Sequence, residues 1–115
     1  MRSLLALLIL CGPWVISYYG ESFRGQTTAM GAIFNPDAYT AAAHPGIPFG
    51  TMLRVCDAEQ EKCITVEVND RGPFCSLEPL EPCGPHWLDL SEAAFAALWP
   101  ISRGRVFDAI VEDEK

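Results

Sequence analysis

The sequence has few basic residues and little histidine. Lysine and arginine together number 8 among 115 residues, against 15 aspartates and glutamates, so the formal net charge is −7. An acidic chain without a basic cluster is not built to bind nucleic acid or a surface of anionic lipid. The 2 histidines and the cysteine spacings fit no zinc-ligand pattern, and no glycine-rich phosphate loop or Gly-x-Ser-x-Gly motif occurs. We therefore expect no metal, no cofactor and no nucleic-acid partner.

The N-terminus has the composition of an export signal. A single arginine precedes the apolar run "LLALLILC", which is too short to span a bilayer and is broken by Gly12 and Pro13. We expect residues 1–16 to be a signal peptide or an N-terminal anchor, with Cys11 leaving lipidation open as an alternative. The expected location is outside the cytoplasm: periplasmic, in the cell envelope or secreted. The remaining residues, 17–115, suffice for one domain.

Four cysteines outside the N-terminal run favour two disulfides. Cys56 and Cys63 flank the polar segment "DAEQEK" between two strand-like runs, and Cys75 and Cys83 enclose the proline-rich loop "SLEPLEP". Local pairing, an even count and an export signal together predict the bridges Cys56–Cys63 and Cys75–Cys83. Each would close a short loop and stabilise the fold by roughly 2–3 kcal/mol. Reduced thiols or a metal site are the alternatives.

Alternation of apolar and polar residues predicts a mostly β domain. The segments "WVISYYG", "AYTAAAH", "TMLRVC", "CITVEVN" and "RVFDAIVE" read as strands, and glycine or proline stands at almost every junction between them. Such closely spaced strands suggest a small barrel or sandwich. One helix is predicted in "DLSEAAFAALW", with Ser91 as its N-cap and Pro100 as its end.

Chemistry-bearing residues are sparse, and their types alone do not define a site. Asp70 lies in "VEVNDRGPF", where Asn-Asp-x-Gly composition favours a turn over a catalytic carboxylate. His44 lies in "AAAHPG", and a lone histidine there is more often structural than catalytic. Asp89 precedes Leu90 and Ser91 at the start of the predicted helix, so a capping or helix-entry role is the better interpretation. Tyr18 or Tyr19 either joins the core or faces a groove and stacks on a sugar.

Three longer segments together resemble the rare lipoprotein A family of exported bacterial domains. They are "SYYGESFRGQTTAMGAIFNPDAYTAAAHPGIPFGTMLRV", "VEVNDRGPF" and "WLDLSEAAFAAL", and the family's motifs recur in them in order. The Asn-Asp-Arg-Gly-Pro-Phe block is the most specific part. The resemblance implies an all-β fold, a six-stranded double-psi β-barrel with one short helix after the Asp-Leu-Ser motif. The family is related more remotely to expansins and family 45 glycosidases.

The resemblance also implies an activity and a set of site residues. The activity is that of an endolytic lytic transglycosylase, which cleaves peptidoglycan glycan strands and leaves an anhydro-muramic acid end. The family's catalytic aspartate and histidine fall on Asp70 and His44. The substrate-binding positions implied by the match are Tyr19, Asn35, Asn69, Arg71 and Phe74. We expect a monomer whose partner is the glycan strand of peptidoglycan.

One position departs from the family pattern and keeps a second function open. Members with the activity usually carry a glutamate where this chain has Ala32, and a carboxylate or amide where it has Asn35. The alternative is therefore a non-catalytic, expansin-like module that holds a glycan in the same groove without cutting it.

Overall fold

The structure is a computed structural model that describes residues 13–114. Residues 1–12 of the predicted signal or anchor lie outside the described part. The strands are β1 (Trp14–Tyr19), β2 (Thr40–Ala43), β3 (Met52–Cys56), β4 (Cys63–Arg71), β5 (Phe74–Leu77), β6 (Leu80–Pro82), β7 (Trp87–Ser91) and β8 (Val106–Asp113). The α-helix is α1 (Glu92–Leu98), and two 3-10 helices span Glu21–Phe23 and Ile101–Arg103. Within this part of the chain, no helix is both long enough and apolar enough to cross a membrane.

Six of these strands close into a barrel in the order β1-β7-β2-β4-β3-β8. Two neighbouring pairs, β1 with β7 and β2 with β4, are parallel, and the other pairs are antiparallel. Strands β5 and β6 form a separate two-stranded hairpin. The predicted six-stranded barrel with a short helix is therefore confirmed.

Side chains alternate between the barrel interior and its outer surface. In β1, Trp14 and Ile16 are fully buried in the core, and in β7 Leu88 and Leu90 are buried with them. The residues between them in each strand point outwards, because successive side chains of a strand face opposite sides. These outward positions, which include Asp89, supply the polar groups described below. Since β1 begins at Trp14, the barrel starts ahead of the expected domain boundary at residue 17.

Helix α1 begins where the sequence predicted and covers part of the core. The Ser91 hydroxyl accepts a hydrogen bond from the Ala94 amide, so Ser91 is the N-cap. Phe95 and Leu98 are buried against the barrel. Burying a phenylalanine side chain stabilises the fold by about 1.5–3 kcal/mol, which holds this short helix in place. The predicted cap is confirmed.

Both predicted disulfides are present. The Cys56–Cys63 bridge joins β3 to β4 at residues that face each other in the strand register. The Cys75–Cys83 bridge ties the start of β5 to the segment after β6. One bridge therefore fastens a hairpin of the barrel, and the other fastens the hairpin outside it.

Candidate active site

Two carboxyl groups flank Ala42 on the outer surface of the barrel. Strand β2 lies between β4 and β7, and Ala42 is opposite Asp70 on one side and opposite Asp89 on the other. The neighbours Ala41 and Ala43 belong to the core, so Ala42 faces the other way. Adjacent strands lie about 4.8 Å apart, which puts the two aspartate Cα atoms about 10 Å apart.

An irregularity in β4 turns Asp70 towards this surface. Val66 and Val68 are buried in the core, and strict alternation would send Asp70 inwards after them. The register with β2 shifts instead: Ala41 is opposite Val68 and Ala42 is opposite Asp70, which leaves Asn69 as an extra residue. Such a bulge re-aims the side chains that follow it. Asp70 is thus a strand residue, and the composition-based interpretation of it as a turn residue is wrong.

Three hydrogen bonds hold the Asp70 carboxyl group. Its Oδ1 accepts from the backbone amides of Ala29 and Arg71, each at 2.9 Å. Its Oδ2 accepts from the Tyr19 hydroxyl at 3.1 Å. Burial raises the pKa of Tyr19 well above its usual range, and the nearby charge of Asp70 adds to this, so the hydroxyl stays a donor. The Tyr19 ring is itself fixed, because it stacks on Phe34 with centroids 4.3 Å apart.

Asp89 is the second carboxyl group, and the prediction that it caps the helix is wrong. It lies inside β7, and Ser91 caps the helix in its place. Its Oδ1 accepts a hydrogen bond from the Ser17 hydroxyl at 3.1 Å. Burial raises the pKa of Asp89 to about 6; the Ser17 bond opposes the rise, and the charge of Asp70 adds to it. A half-buried carboxyl group whose pKa is raised towards neutral pH is typical of catalytic acids.

Both aspartates line one cavity of about 300 Å³. Its lining residues are Tyr19, Phe23, Ala42, Asp70, Arg71, Gly72, Pro73, Phe74, Leu77 and Asp89. The hairpin of β5 and β6 supplies an apolar wall, where Leu77 is 77% exposed and free to meet a ligand. The cavity thus combines two acids with aromatic and aliphatic surfaces.

Arg71 brings a positive charge to the same cavity. Its guanidinium lies over the Phe49 ring, 3.8 Å from the centroid, which fixes its direction by a cation–π contact. Burial lowers the pKa of Arg71, but an arginine stays charged at any physiological pH. Of the expected substrate-binding residues, Tyr19, Arg71 and Phe74 are brought together here.

The other expected site residues are not among those lining the cavity. His44 directly follows β2, and its Nδ1 accepts a hydrogen bond from the Gly46 amide at 3.0 Å. Asn35 is exposed, and its Oδ1 accepts from the Asp37 amide. Asn69 is buried at the bulge, and its Oδ1 has no hydrogen-bond partner there. The roles proposed for these three residues stay predictions.

Comparison with known proteins identifies the family. A family model described as lytic transglycolase matches residues 15–107, so the chain belongs to the lytic transglycolase family. The resemblance drawn from the motifs is confirmed. A relative from Treponema pallidum (strain Nichols), named a probable endolytic peptidoglycan transglycosylase RlpA, is 41% identical over 88 residues. That match covers 76% of this chain and 25% of the relative, so the chain spans about a quarter of its length.

Solved structures agree on the fold. The Streptomyces papain inhibitor superposes with a TM-score of 0.67 at 24% identity, covering 88% of this chain and 91% of the inhibitor. A mutant expansin from Clavibacter michiganensis, in complex with cellohexaose, superposes with a TM-score of 0.65 at 19% identity. That match covers 90% of this chain and 50% of the expansin. The barrel is of the predicted double-psi class.

Proposed function

We propose that the chain is an endolytic peptidoglycan lytic transglycosylase, which cuts glycan strands and leaves an anhydro-muramic acid end. The observation that carries this proposal is the pair Asp70 and Asp89, which face one cavity from two sides of Ala42. Glycosidic bond cleavage is commonly carried out by two carboxyl groups placed about the scissile bond. The name of the Treponema relative agrees with this reaction.

The cavity suits a sugar. Its volume, about 300 Å³, lies at the lower end of the range of small-molecule sites. Phe23 and Phe74 offer aromatic faces on which a sugar ring can stack, and both are substantially exposed. Arg71 adds a donor for the acidic lactyl or peptide part of a muramic acid residue. We propose Tyr19, Asn35, Asn69, Arg71 and Phe74 as the substrate-binding residues.

The reaction moves two protons and consumes no water. The bond between C1 of N-acetylmuramic acid and the leaving oxygen breaks, and that oxygen gains a proton. The 6-hydroxyl of the same sugar loses its proton and bonds to C1, which closes the anhydro ring. We assign Asp70 a part in these proton transfers, since three hydrogen bonds hold its carboxyl group in one orientation at the cavity.

His44 is the second residue that we propose for catalysis. It follows Ala43, which is opposite Arg71 in the register of β2 and β4. Because Nδ1 accepts from the Gly46 amide, the proton of a neutral imidazole lies on Nε2. That N–H is available to stabilise negative charge on the substrate or to orient Asp70 once a glycan is bound.

We further propose that the domain works as a monomer outside the cytoplasm. The two disulfides support this location, since such bridges persist in oxidising compartments. The proposed partner is the glycan strand of peptidoglycan, which the domain meets in the periplasm, in the cell envelope or after secretion.

The alternative is a non-catalytic module that holds a glycan without cutting it. Ala32 favours it, because active members usually have a glutamate at this position. The superposed expansin, which carries a bound cellohexaose, also has this barrel. Under this alternative the same cavity binds a strand, but no bond is broken.

Incubation with peptidoglycan decides between the two functions. The purified protein is given whole sacculi and peptide-free glycan strands, and soluble products are analysed by mass spectrometry. Fragments with anhydro-muramic acid ends are expected from the wild type and should vanish in Asp70→Asn. Asp108→Asn is the matched control, since Asp108 is an exposed carboxyl group on β8. Strands retained by the protein but left intact would favour the binding module.

A further inference from the structure

Resting on the proposed function, we propose that Asp89 is the catalytic residue that protonates the leaving oxygen, and that Ser17, held by Trp87, positions it. Asp70 then serves as the base for the 6-hydroxyl. The roles of Asp89 and Ser17 in this proposal follow from the register of β1 and β7, the direction of two hydrogen bonds and the surroundings of the Asp89 carboxyl group.

Strand register puts the three side chains on one surface. Ser17 is directly opposite Asp89 in the parallel pair of β1 and β7. Trp87 precedes Asp89 by two residues in β7, so both point to the same side of the strand. The intervening Leu88 is buried in the core. All three polar groups therefore meet outside the barrel, next to the cavity.

The hydrogen bond from Trp87 to Ser17 has only one possible direction, and it favours Ser17 as the donor to Asp89. The Trp87 indole nitrogen is a donor only, and it lies 3.1 Å from the Ser17 hydroxyl oxygen. Ser17 must accept that bond, and its own proton is then directed at Asp89 Oδ1, also 3.1 Å away. A serine held in this way donates to Asp89 Oδ1 in this structure. Oδ1 is engaged as an acceptor, which leaves Oδ2 to carry the proton that is transferred.

Surrounding charges separate the roles of the two aspartates. Asp70 is held by three donors, so its carboxyl group is suited to accept a proton. Asp89 is half-buried beside Asp70, and this burial is the main cause that raises its pKa to about 6. The charged or titratable groups around Asp89 are Asp70, Tyr19 and Arg71 at the cavity and Arg105 before β8.

Arg105 lies next to Trp87, at the outer end of this series of contacts. Its guanidinium lies over the Trp87 ring, 4.9 Å from the centroid. Its charge lowers the pKa of Asp89, as the Ser17 bond does. The contacts from Arg105 through Trp87 to Ser17 thus limit the rise in the pKa of Asp89 that burial and the charge of Asp70 cause. Asp89 therefore remains able to give up its proton.

The test is the pH dependence of kcat/KM on peptide-free glycan strands. Asp89→Asn should lower kcat by at least about 100-fold, the usual contribution of a general acid, with little change in KM. Ser17→Ala should move the alkaline limb of the profile to higher pH by about one unit, because it removes a bond that favours the ionised form. Trp87→Phe should move the alkaline limb in the same direction by a smaller amount.

Matched variants and a second readout keep the outcomes separate. Ser102→Ala, an exposed serine outside the cavity, should leave the profile unchanged. An Asp89→Asn variant that is folded by circular dichroism and fully active would overturn the assignment of Asp89. An unmoved alkaline limb in Ser17→Ala would overturn the role of Ser17.

Failure of the proposed function would be seen separately, as a wild type that releases no anhydro products. The role of Asp89 as proton donor would then fall with it. The positioning role would still be decided by carbon-13 NMR titration of the Asp89 carboxyl group. A higher midpoint in Ser17→Ala than in the wild type supports it, and equal midpoints overturn it.

Discussion

Replacing Tyr19 by phenylalanine removes one hydrogen bond from Asp70 and leaves the aromatic ring in place. The ring keeps its stacking on Phe34 and its edge contact with Phe23. Only the hydroxyl that donates to Asp70 Oδ2 is lost. The variant therefore isolates the contribution of this one donor to the orientation of the carboxyl group.

The expected magnitude follows from the partner's charge and burial. A hydrogen bond to a charged group contributes about 1.5–3 kcal/mol, and the lower end applies because Asp70 and Tyr19 are both half-buried. A loss of about 1.5 kcal/mol lowers the Tm of a domain of this size by about 6–12 °C. If the bond is fully used in the transition state, kcat/KM falls about tenfold.

Thermal unfolding and the release of anhydro products measure the two effects. Tyr18→Phe is the matched control, because Tyr18 packs on the core beside Phe95 and does not line the cavity. The reasoning would be refuted if Tyr19→Phe had the Tm and kcat/KM of the wild type. It would also be refuted if both tyrosine variants lost the same activity.

Three more predictions concern stability, the hairpin and the departure from the family pattern. Folding favours protonated Asp89, because its pKa is about 6 in the fold against an ordinary value of 3.8. Its contribution to stability is therefore present below about pH 4 and lost as the pH rises to about 6. Urea unfolding should show the wild type losing up to about 3 kcal/mol relative to Asp89→Asn over that range, and parallel pH profiles would contradict it. Replacing Cys75 and Cys83 by serine should lower the unfolding free energy by roughly 2–3 kcal/mol. It should also weaken glycan binding in a pull-down, because the hairpin that carries Leu77 loosens. Unchanged binding would show that the hairpin wall of the cavity is not used. Ala32→Glu should raise the rate of product release, because a glutamate there adds the missing carboxyl group. The Tm should not fall, since Ala32 is exposed. An unchanged rate would mean that the family glutamate is not needed in this chain.

Local patterns predicted much of the fold. The alternating segments became barrel strands, and Ser91 caps the helix as its position before Glu92 indicates. The cysteine pairs were predictable because each closes a short loop, with sequence separations of 7 and 8. Closure of the barrel and its class depended on the family resemblance, since alternation alone fits a sandwich equally well.

The site was only partly predictable, because its contacts join distant parts of the chain. Asp89 and Ser17 are 72 residues apart, and no local pattern reveals that parallel strands bring them together. The bulge at Asn69 is also hidden in the sequence, although it decides which way Asp70 points. A signal for Asp89 did exist: it alternates with Leu88 and Leu90, which is typical of an outward-facing strand residue.

The most direct test of the proposed activity is the mass of the fragments released from peptide-free glycan strands. A lytic transglycosylase leaves a muramic acid end that is one water lighter than a hydrolysed end. The account predicts that the wild-type protein releases fragments with this lighter end and that Asp70→Asn releases none. Strands that bind the wild-type protein and are recovered at their original length would contradict it.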